Sequence, residues 1–139
     1  MQLKLNLYVY VGVSVMIDNN KCILVYGLSN IELLNLKELG YKIIEITPEM
    51  CDMTLMDILL GMRLEIFNNN PIKEKVILYN NLSEYELRKA IMDTRQNIKD
   101  GILAVVTQQS INWKVSDLIK HLIEEKEWYS KVRKEEGNE

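Results

Sequence analysis

Eight aliphatic residues alternate without a break at the start of the chain: Leu3, Leu5, Leu7, Val9, Val11, Val13, Val15 and Ile17. Between them stand Gln2, Lys4, Asn6, Tyr8, Tyr10, Gly12, Ser14 and Met16. A period of two sustained this long predicts a β-strand with one apolar side. At ~3.3 Å per residue the strand would reach about 50 Å, more than twice the usual length, and Gly12 could bend it into two pieces. The apolar side must be covered or it will aggregate. Tyr8 and Tyr10 give the other side large amphipathic rings suited to contact. The expectation is a homodimer held partly by residues 3–17, with pairing to an edge of the chain's own sheet as the alternative.

The rest of the chain repeats itself. Ile23-Leu24-Val25-Tyr26-Gly27-Leu28-Ser29 is answered by Val76-Ile77-Leu78-Tyr79-Asn80-Asn81-Leu82-Ser83, and both continue Leu-Ser-x-x-Glu-Leu through Glu32-Leu33 and Glu86-Leu87. Sixty residues apart, Thr47 meets Thr107 and Asp57 meets Asp117. At the same shift Leu55, Ile58, Leu59 and Met62 meet Val115, Leu118, Ile119 and Leu122. Matches in the same order over three successive elements predict a duplicated fold unit, not a solenoid.

Each copy has one grammar. A short aliphatic run opens it (Cys22–Tyr26; Lys75–Tyr79), as a buried strand would. Ser29 with Glu32, and Ser83 with Glu86, are capping boxes that start a helix. Gly40 and Gly101 are the expected C′ residues of these helices. A second strand follows (Lys42–Ile46; Ile102–Val106). An amphipathic helix closes the copy, on Leu55, Ile58, Leu59, Met62 and Ile66 and then on Val115, Leu118, Ile119, Leu122 and Ile123. Strand, helix, strand, helix, twice over, predicts an α/β fold with a four-stranded sheet, parallel within each half. The direction of one half against the other stays open. The chain divides into an added strand (1–20), a first copy (21–67), a linker rich in Asn and Pro (68–73), a second copy (74–128) and a charged tail (129–139). All belong to one domain.

Composition narrows the functions. The 139 residues carry 17 Lys and Arg against 20 Asp and Glu, a formal charge of −3, which argues against nucleic acid as partner. The longest uncharged runs, Leu5–Ile17 and Gly101–Trp113, fall short of the ~20 residues a membrane helix needs. A single His121 removes any metal site or triad that needs two imidazoles, and it reads as a solvated helix residue. Cys22 and Cys51 show no metal spacing. They read as free thiols of a cytoplasmic protein. Cys51 stands where the second copy has Ile111, so it reads as a packing residue. Met53 matches Trp113, and both should anchor the start of the closing helix. Met53, Met56 and Met62 are placed on or beside a helix face that packs. No cofactor is implied.

In an open α/β sheet, ligands bind beyond the carboxyl ends of the strands. Those ends hold Gly27 and Ser29; Thr47, Pro48 and Glu49; Asn80, Asn81 and Ser83; and Thr107, Gln108, Gln109, Ser110 and Asn112. Of these, Gly27, Thr47, Glu49, Asn80, Asn81, Thr107, Gln108, Gln109 and Asn112 are the candidate ligand-binding residues. They form an uncharged hydrogen-bonding set with one carboxylate. Caps and turns account for the same residue types without any ligand. Gly27 is a lone glycine, so neither a dinucleotide fingerprint nor a phosphate loop is present.

Val106-Thr107, Asn112-Trp113 and the Leu-rich helix after them resemble the end of a small prokaryotic family known only as a domain of unknown function. The resemblance covers most of residues 21–128, including the Tyr26-Gly27-Leu28-Ser29 turn. Lys114 stands where that pattern has a capping Thr, and Gln108 where Pro is common, so the second closing helix should start differently. The family implies the architecture and no activity; the strand at 3–17 is not part of it. Three functions remain: a non-catalytic module binding a protein partner or small polar ligand, a small enzyme with Glu49 as acid or base, and a thiol protein using Cys51. A cleft converging on Thr47, Thr107 and Glu49 would favour the enzyme.

Overall fold

The computed structural model describes residues 20–64, 66–68 and 70–137, and the strand expected at 3–17 lies outside them. Four strands form one sheet: β1 (Cys22–Tyr26), β2 (Ile43–Ile46), β3 (Val76–Asn80) and β4 (Ile102–Val105), in the order β2-β1-β3-β4. Within each half the strands are parallel, Leu24 beside Ile44 and Leu78 beside Ala104. The halves meet antiparallel through β1 and β3, with Leu24 opposite Leu78 at the middle of the pair. That settles the direction left open by the sequence. Central strands covered on both faces need apolar residues at every position. All five residues of β1 and of β3 are buried, whereas β2 and β4, the edges among the described residues, are mostly half-buried.

The helices are α1 (Asn30–Glu38), α2 (Leu55–Leu59), α3 (Glu84–Asn97) and α4 (Val115–Gly137), with 3-10 turns at Pro48–Met50 and Ser110–Asn112. The order strand, helix, strand, 3-10 turn, helix therefore occurs twice. Leu33 and Leu36 of α1, with Ala90 of α3, pack on one face of the sheet against Ile23, Val25, Ile77 and Tyr79. Ile58 of α2 with Val115, Leu118 and Ile119 of α4 pack on the other, against Leu24, Tyr26 and Leu78. The result is three layers with two cores.

Both predicted capping boxes are formed. Ser29 Oγ accepts the Glu32 N–H at 3.2 Å while Glu32 accepts the Ser29 N–H at 3.0 Å, and Ser83 with Glu86 repeats both distances. Antiparallel halves then cross-link these caps. Lys75, just before β3, reaches Glu32 at 2.9 Å, and Lys21, just before β1, reaches Glu86 at 2.8 Å. Each capping carboxylate thus belongs to one half and binds a lysine of the other. We expect Ser29→Ala and Ser83→Ala each to lose about 0.5–2 kcal/mol, read as a fall in denaturant midpoint. An unchanged midpoint in either variant would remove that cap from the fold's energetics.

The halves also exchange backbone at their 3-10 turns. Leu55 N–H donates to Trp113 O at 3.3 Å, and Val115 N–H donates to Met53 O at 2.9 Å. Around this reciprocal pair Thr54 bridges Lys114. The two closing helices start differently, as the Lys114 departure implied. Thr54 Oγ1 caps α2 by accepting the Asp57 N–H at 3.1 Å. Lys114 has no hydroxyl, and the Ser116 N–H of α4 is instead taken by Cys51 O at 2.9 Å. Met53 is buried and Trp113 half-exposed at this junction.

Three expectations need correction. The first closing helix does not run to Ile66: it ends at Leu59, because Gly61 turns left-handed at φ +83. Met62, placed on a packed helix face, is instead outside any helix and 54% exposed. Gly40, at φ +93, does follow the C-cap of α1, but Gly101 does not end α3. That helix stops at Asn97 with Ile98 extended, and Gly101 sits at the start of β4, where a Cβ would meet Lys75 at 3.1 Å. The charged tail continues α4 as helix through Gly137.

Candidate functional site

The antiparallel join divides the strand ends between two ends of the sheet. Gly27, Thr47 and Glu49 lie at the end where β1 and β2 finish, level with the start of β3. Asn80, the last residue of β3, and Asn81, Thr107, Gln108 and Gln109, which follow β3 and β4, lie at the opposite end, level with Cys22. Asn112 closes the 3-10 turn beyond them, its N–H donating to Gln109 O at 3.3 Å. Thr47 and Thr107 therefore do not converge.

The residues after β3 and β4 are occupied structurally. Asn80 is buried and donates to Asn20 O at 2.9 Å. Asn81 takes φ +58, the left-handed turn that Gly27 takes at φ +78 in the first half. Thr107 is locked to Ser110: its Oγ1 accepts the Ser110 N–H at 3.0 Å and lies 3.1 Å from Ser110 Oγ, which accepts the Thr107 N–H at 2.9 Å. Gln108, Gln109 and Asn112 are exposed.

The other end opens into a cleft of about 600 Å³. Tyr26, Gly27 and Thr47 line it from the strand ends, and Ile72, Lys73 and Glu74 from the approach to β3, with Asp100 beside them. The Tyr26 hydroxyl donates to Ile72 O at 2.7 Å, fixing that approach against β1. Gly27 admits the wall closely, since a Cβ there would lie 2.3 Å from Glu74 O. Thr47 is unlike its counterpart. Its Oγ1 is buried with no hydrogen-bond partner among the described residues. Two differences leave it so: Met50 stands where the Ser110 hydroxyl serves Thr107, and the Met50 N–H donates to Thr47 O at 3.0 Å and not to the hydroxyl. Glu49 and Cys51 line an adjoining cleft of about 270 Å³, which shares Pro48 with the larger one.

The electrostatics disfavour an anion. The N-terminus of α1, which flanks the cleft, would attract phosphate were it open. Glu32 already fills it. Burial would raise that carboxyl's pKa, but the Ser29 N–H and Lys75 together hold it below the ordinary carboxylate range. Glu45, Glu74 and Asp100 line the cleft against Lys73 and Lys75; Lys75 is engaged by Glu32 and Glu74 lies 3.6 Å from Lys126, which leaves Glu45 and Asp100 against Lys73.

Neither thiol is activated. Both are buried and unpaired. Burial pushes Cys22 from 9.0 up to about 11, against the opposing pull of Lys42 and Asn80, and burial likewise raises Cys51. We expect both to alkylate slowly in the native protein, with Cys22 carrying about a hundredfold less thiolate than an ordinary cysteine at pH 8. An acid whose pKa folding raises stabilises the fold below its unfolded value. The Cys22 contribution is therefore present below pH about 9 and is lost as pH climbs toward about 11. Rapid native labelling of either thiol would contradict this. His121 is exposed, pairs with Glu125 at 2.9 Å and meets the Trp113 ring edge-on at 5.2 Å. Among the described residues no group of His, Cys, Asp and Glu is arranged to hold a metal ion, and no helix is long and apolar enough to cross a membrane.

Sequence reasoning found Gly27, Thr47 and Glu49 but missed Lys73, Glu74 and Asp100. Those come from the linker and the second half, delivered by a join whose direction the pattern did not reveal. Residues 75–129 match the family model described as a domain of unknown function (DUF3783), so the expected resemblance to an uncharacterised family holds there. The matched stretch contains β3, α3, β4, the second 3-10 turn and nearly all of α4's packed length. No curated protein and no solved structure matches the chain.

Proposed function

We propose that the chain is a non-catalytic module that holds a small polar ligand in the cleft at the ends of β1 and β2. The observation that carries this reading is the unpartnered Thr47 hydroxyl beside that cleft. A buried polar group without a partner costs about 1–3 kcal/mol, and this hydroxyl is enclosed in the cleft wall, so a ligand would pair it, and relieve that cost, by opening the wall over it. The cleft's volume of about 600 Å³ suits a small molecule. The filled α1 terminus and the surplus of carboxylates favour a neutral or cationic ligand over a phosphorylated one.

The enzyme reading is weaker because Thr47 and Thr107 sit at opposite ends of the sheet. A thiol mechanism is disfavoured by the raised pKa of Cys51. Free thiols fit a reducing compartment, the cytoplasm. The repeated order of elements, with its exchanged lysines and backbone hydrogen bonds, supports an origin by internal duplication. A homodimer through residues 3–17 is the competing use of the chain's surface, and light scattering of the full chain and of one beginning at Met16 tests it.

Native mass spectrometry of purified protein, with a thermal-shift panel of amines, alcohols and phosphates, tests the ligand. Thr47→Val should raise the stability of the unliganded protein by about 1 kcal/mol, since it removes the orphaned hydroxyl. The same variant should bind the retained molecule about five- to tenfold more weakly, the loss of one neutral hydrogen bond. Equal affinity in the two proteins, or no small molecule retained or stabilising, would overturn the proposal.

A further inference from the structure

A second surface, which meets the smaller cleft at Ile66 and Phe67 but does not line the larger one, carries exposed apolar side chains. Leu60, Met62, Leu64 and Ile66 alternate after α2, and they are 40%, 54%, 56% and 46% exposed, with Phe67 following at 82%. Five large apolar side chains exposed within eight residues of sequence are a concentration of the kind that marks an interaction site. The stretch is tethered at both ends. Met62 N–H donates to Asp57 O at 3.0 Å and Ile66 N–H to Glu49 O at 2.9 Å. Its spacing is that of a strand, with one apolar residue in two.

The chain preceding the described residues arrives at the start of this run. Asn20 Nδ2 donates to Leu59 O at 3.2 Å, while Asn20 Oδ1 accepts from Lys42 at 2.6 Å and Asn20 O from Asn80 at 2.9 Å. Three hydrogen bonds thus pin the point from which residues 1–19 lead away, one residue from Leu60. Immediately before that point stand Val11, Val13, Val15 and Ile17, also alternating. Four apolar positions in seven residues match four in seven across the run.

We propose that residues 11–17 of the N-terminal segment cover the apolar run Leu60–Phe67 of the same chain. The tether decides between this chain and another copy. With only Asp18 and Asn19 between Ile17 and the pinned Asn20, the effective concentration of the segment at the run is on the order of millimolar or higher. A second copy's segment competes at the protein's own concentration.

The test is hydrogen exchange by mass spectrometry on the full chain, with light scattering on the same samples. Wild type should be monomeric with residues 11–17 and 60–67 protected. Leu64→Asp should speed exchange in residues 11–17 at least tenfold while β1 and β3 stay unchanged, and Phe67→Ser should act in the same direction. Tyr85→Ser, at an exposed position of α3, should leave residues 11–17 protected. Rates for residues 11–17 like those of an unstructured peptide in wild type would overturn the proposal. So would protection that survives both variants, because the segment would then sit elsewhere. Protection lost on dilution together with a dimer mass would transfer the run to a second copy. Ligand retention in the cleft should be the same in all four proteins, so failure here leaves the cleft reading standing.

Discussion

Replacing Leu24 with alanine is expected to cost about 2–5 kcal/mol, a large fraction of a small domain's stability. Leu24 is fully buried at the middle of β1, opposite Leu78 on β3 and beside Ile44 on β2. Its side chain lies in the core formed with Ile58, Val115 and Ile119, where both closing helices converge. Removing it loses the transfer free energy of the deleted carbons and opens a cavity at the join of the halves. The surroundings cannot collapse easily into that space. β1 is hydrogen-bonded on both sides, and the closing helices are held by the reciprocal Met53–Val115 and Trp113–Leu55 hydrogen bonds. The cost therefore belongs in the upper part of the range. Chemical denaturation should show a lower midpoint with an unchanged slope, as expected when only the native state is weakened. Ile31→Ala, at a position 73% exposed on α1, should stay within about 0.5 kcal/mol of wild type. If the two variants proved alike, the central pair would not be the stability centre the packing describes.

Local rules were legible in the sequence, and long-range ones were not. The capping boxes at Ser29 and Ser83 need only two residues three apart, so pattern alone predicted both helix starts. The apolar runs Cys22–Tyr26 and Val76–Tyr79 predicted buried strands for the same reason, since burial on two faces removes alternation. The end of α2 was misread because Leu55, Ile58, Leu59, Met62 and Ile66 satisfy a helical period on paper. Leu60, Met62, Leu64 and Ile66 satisfy a strand period over the same stretch, and the left-handed turn at Gly61 decides between them. The direction of the join was hidden because parallel and antiparallel pairing of β1 with β3 demand the same apolar runs. The join also split the site. Thr47 and Thr107, which match at the sixty-residue shift, lie at opposite ends of the sheet because β1 and β3 run antiparallel. Part of what distinguishes them was readable, since Ser110 has Met50 as its counterpart; the other part, the Met50 N–H going to Thr47 O, was not.

The second large effect is expected at Gly27, and it joins fold to site. Gly27→Ala should cost about 2–5 kcal/mol, from two separate causes. The residue adopts φ +78, where a Cβ meets its own backbone at roughly 1–2 kcal/mol. The Cβ would also stand 2.3 Å from Glu74 O, a backbone atom, so relief requires moving the approach to β3. Overpacking of that kind typically adds about 1–3 kcal/mol. That approach has little freedom, since Tyr26 holds Ile72 O and Lys75 is bound to Glu32. Gly40→Ala separates the two causes. Gly40 has a comparable φ of +93 but nothing within 4 Å of its Cβ, so it should show the conformational cost alone. The difference between the two midpoint shifts then measures the contact with Glu74. Because Glu74 and Gly27 both line the cleft, the same shift should weaken any ligand held beside Thr47, whereas Gly40→Ala should leave binding intact. Equal losses of stability in the two variants would mean that the wall yields freely. Gly27 would then serve the turn alone.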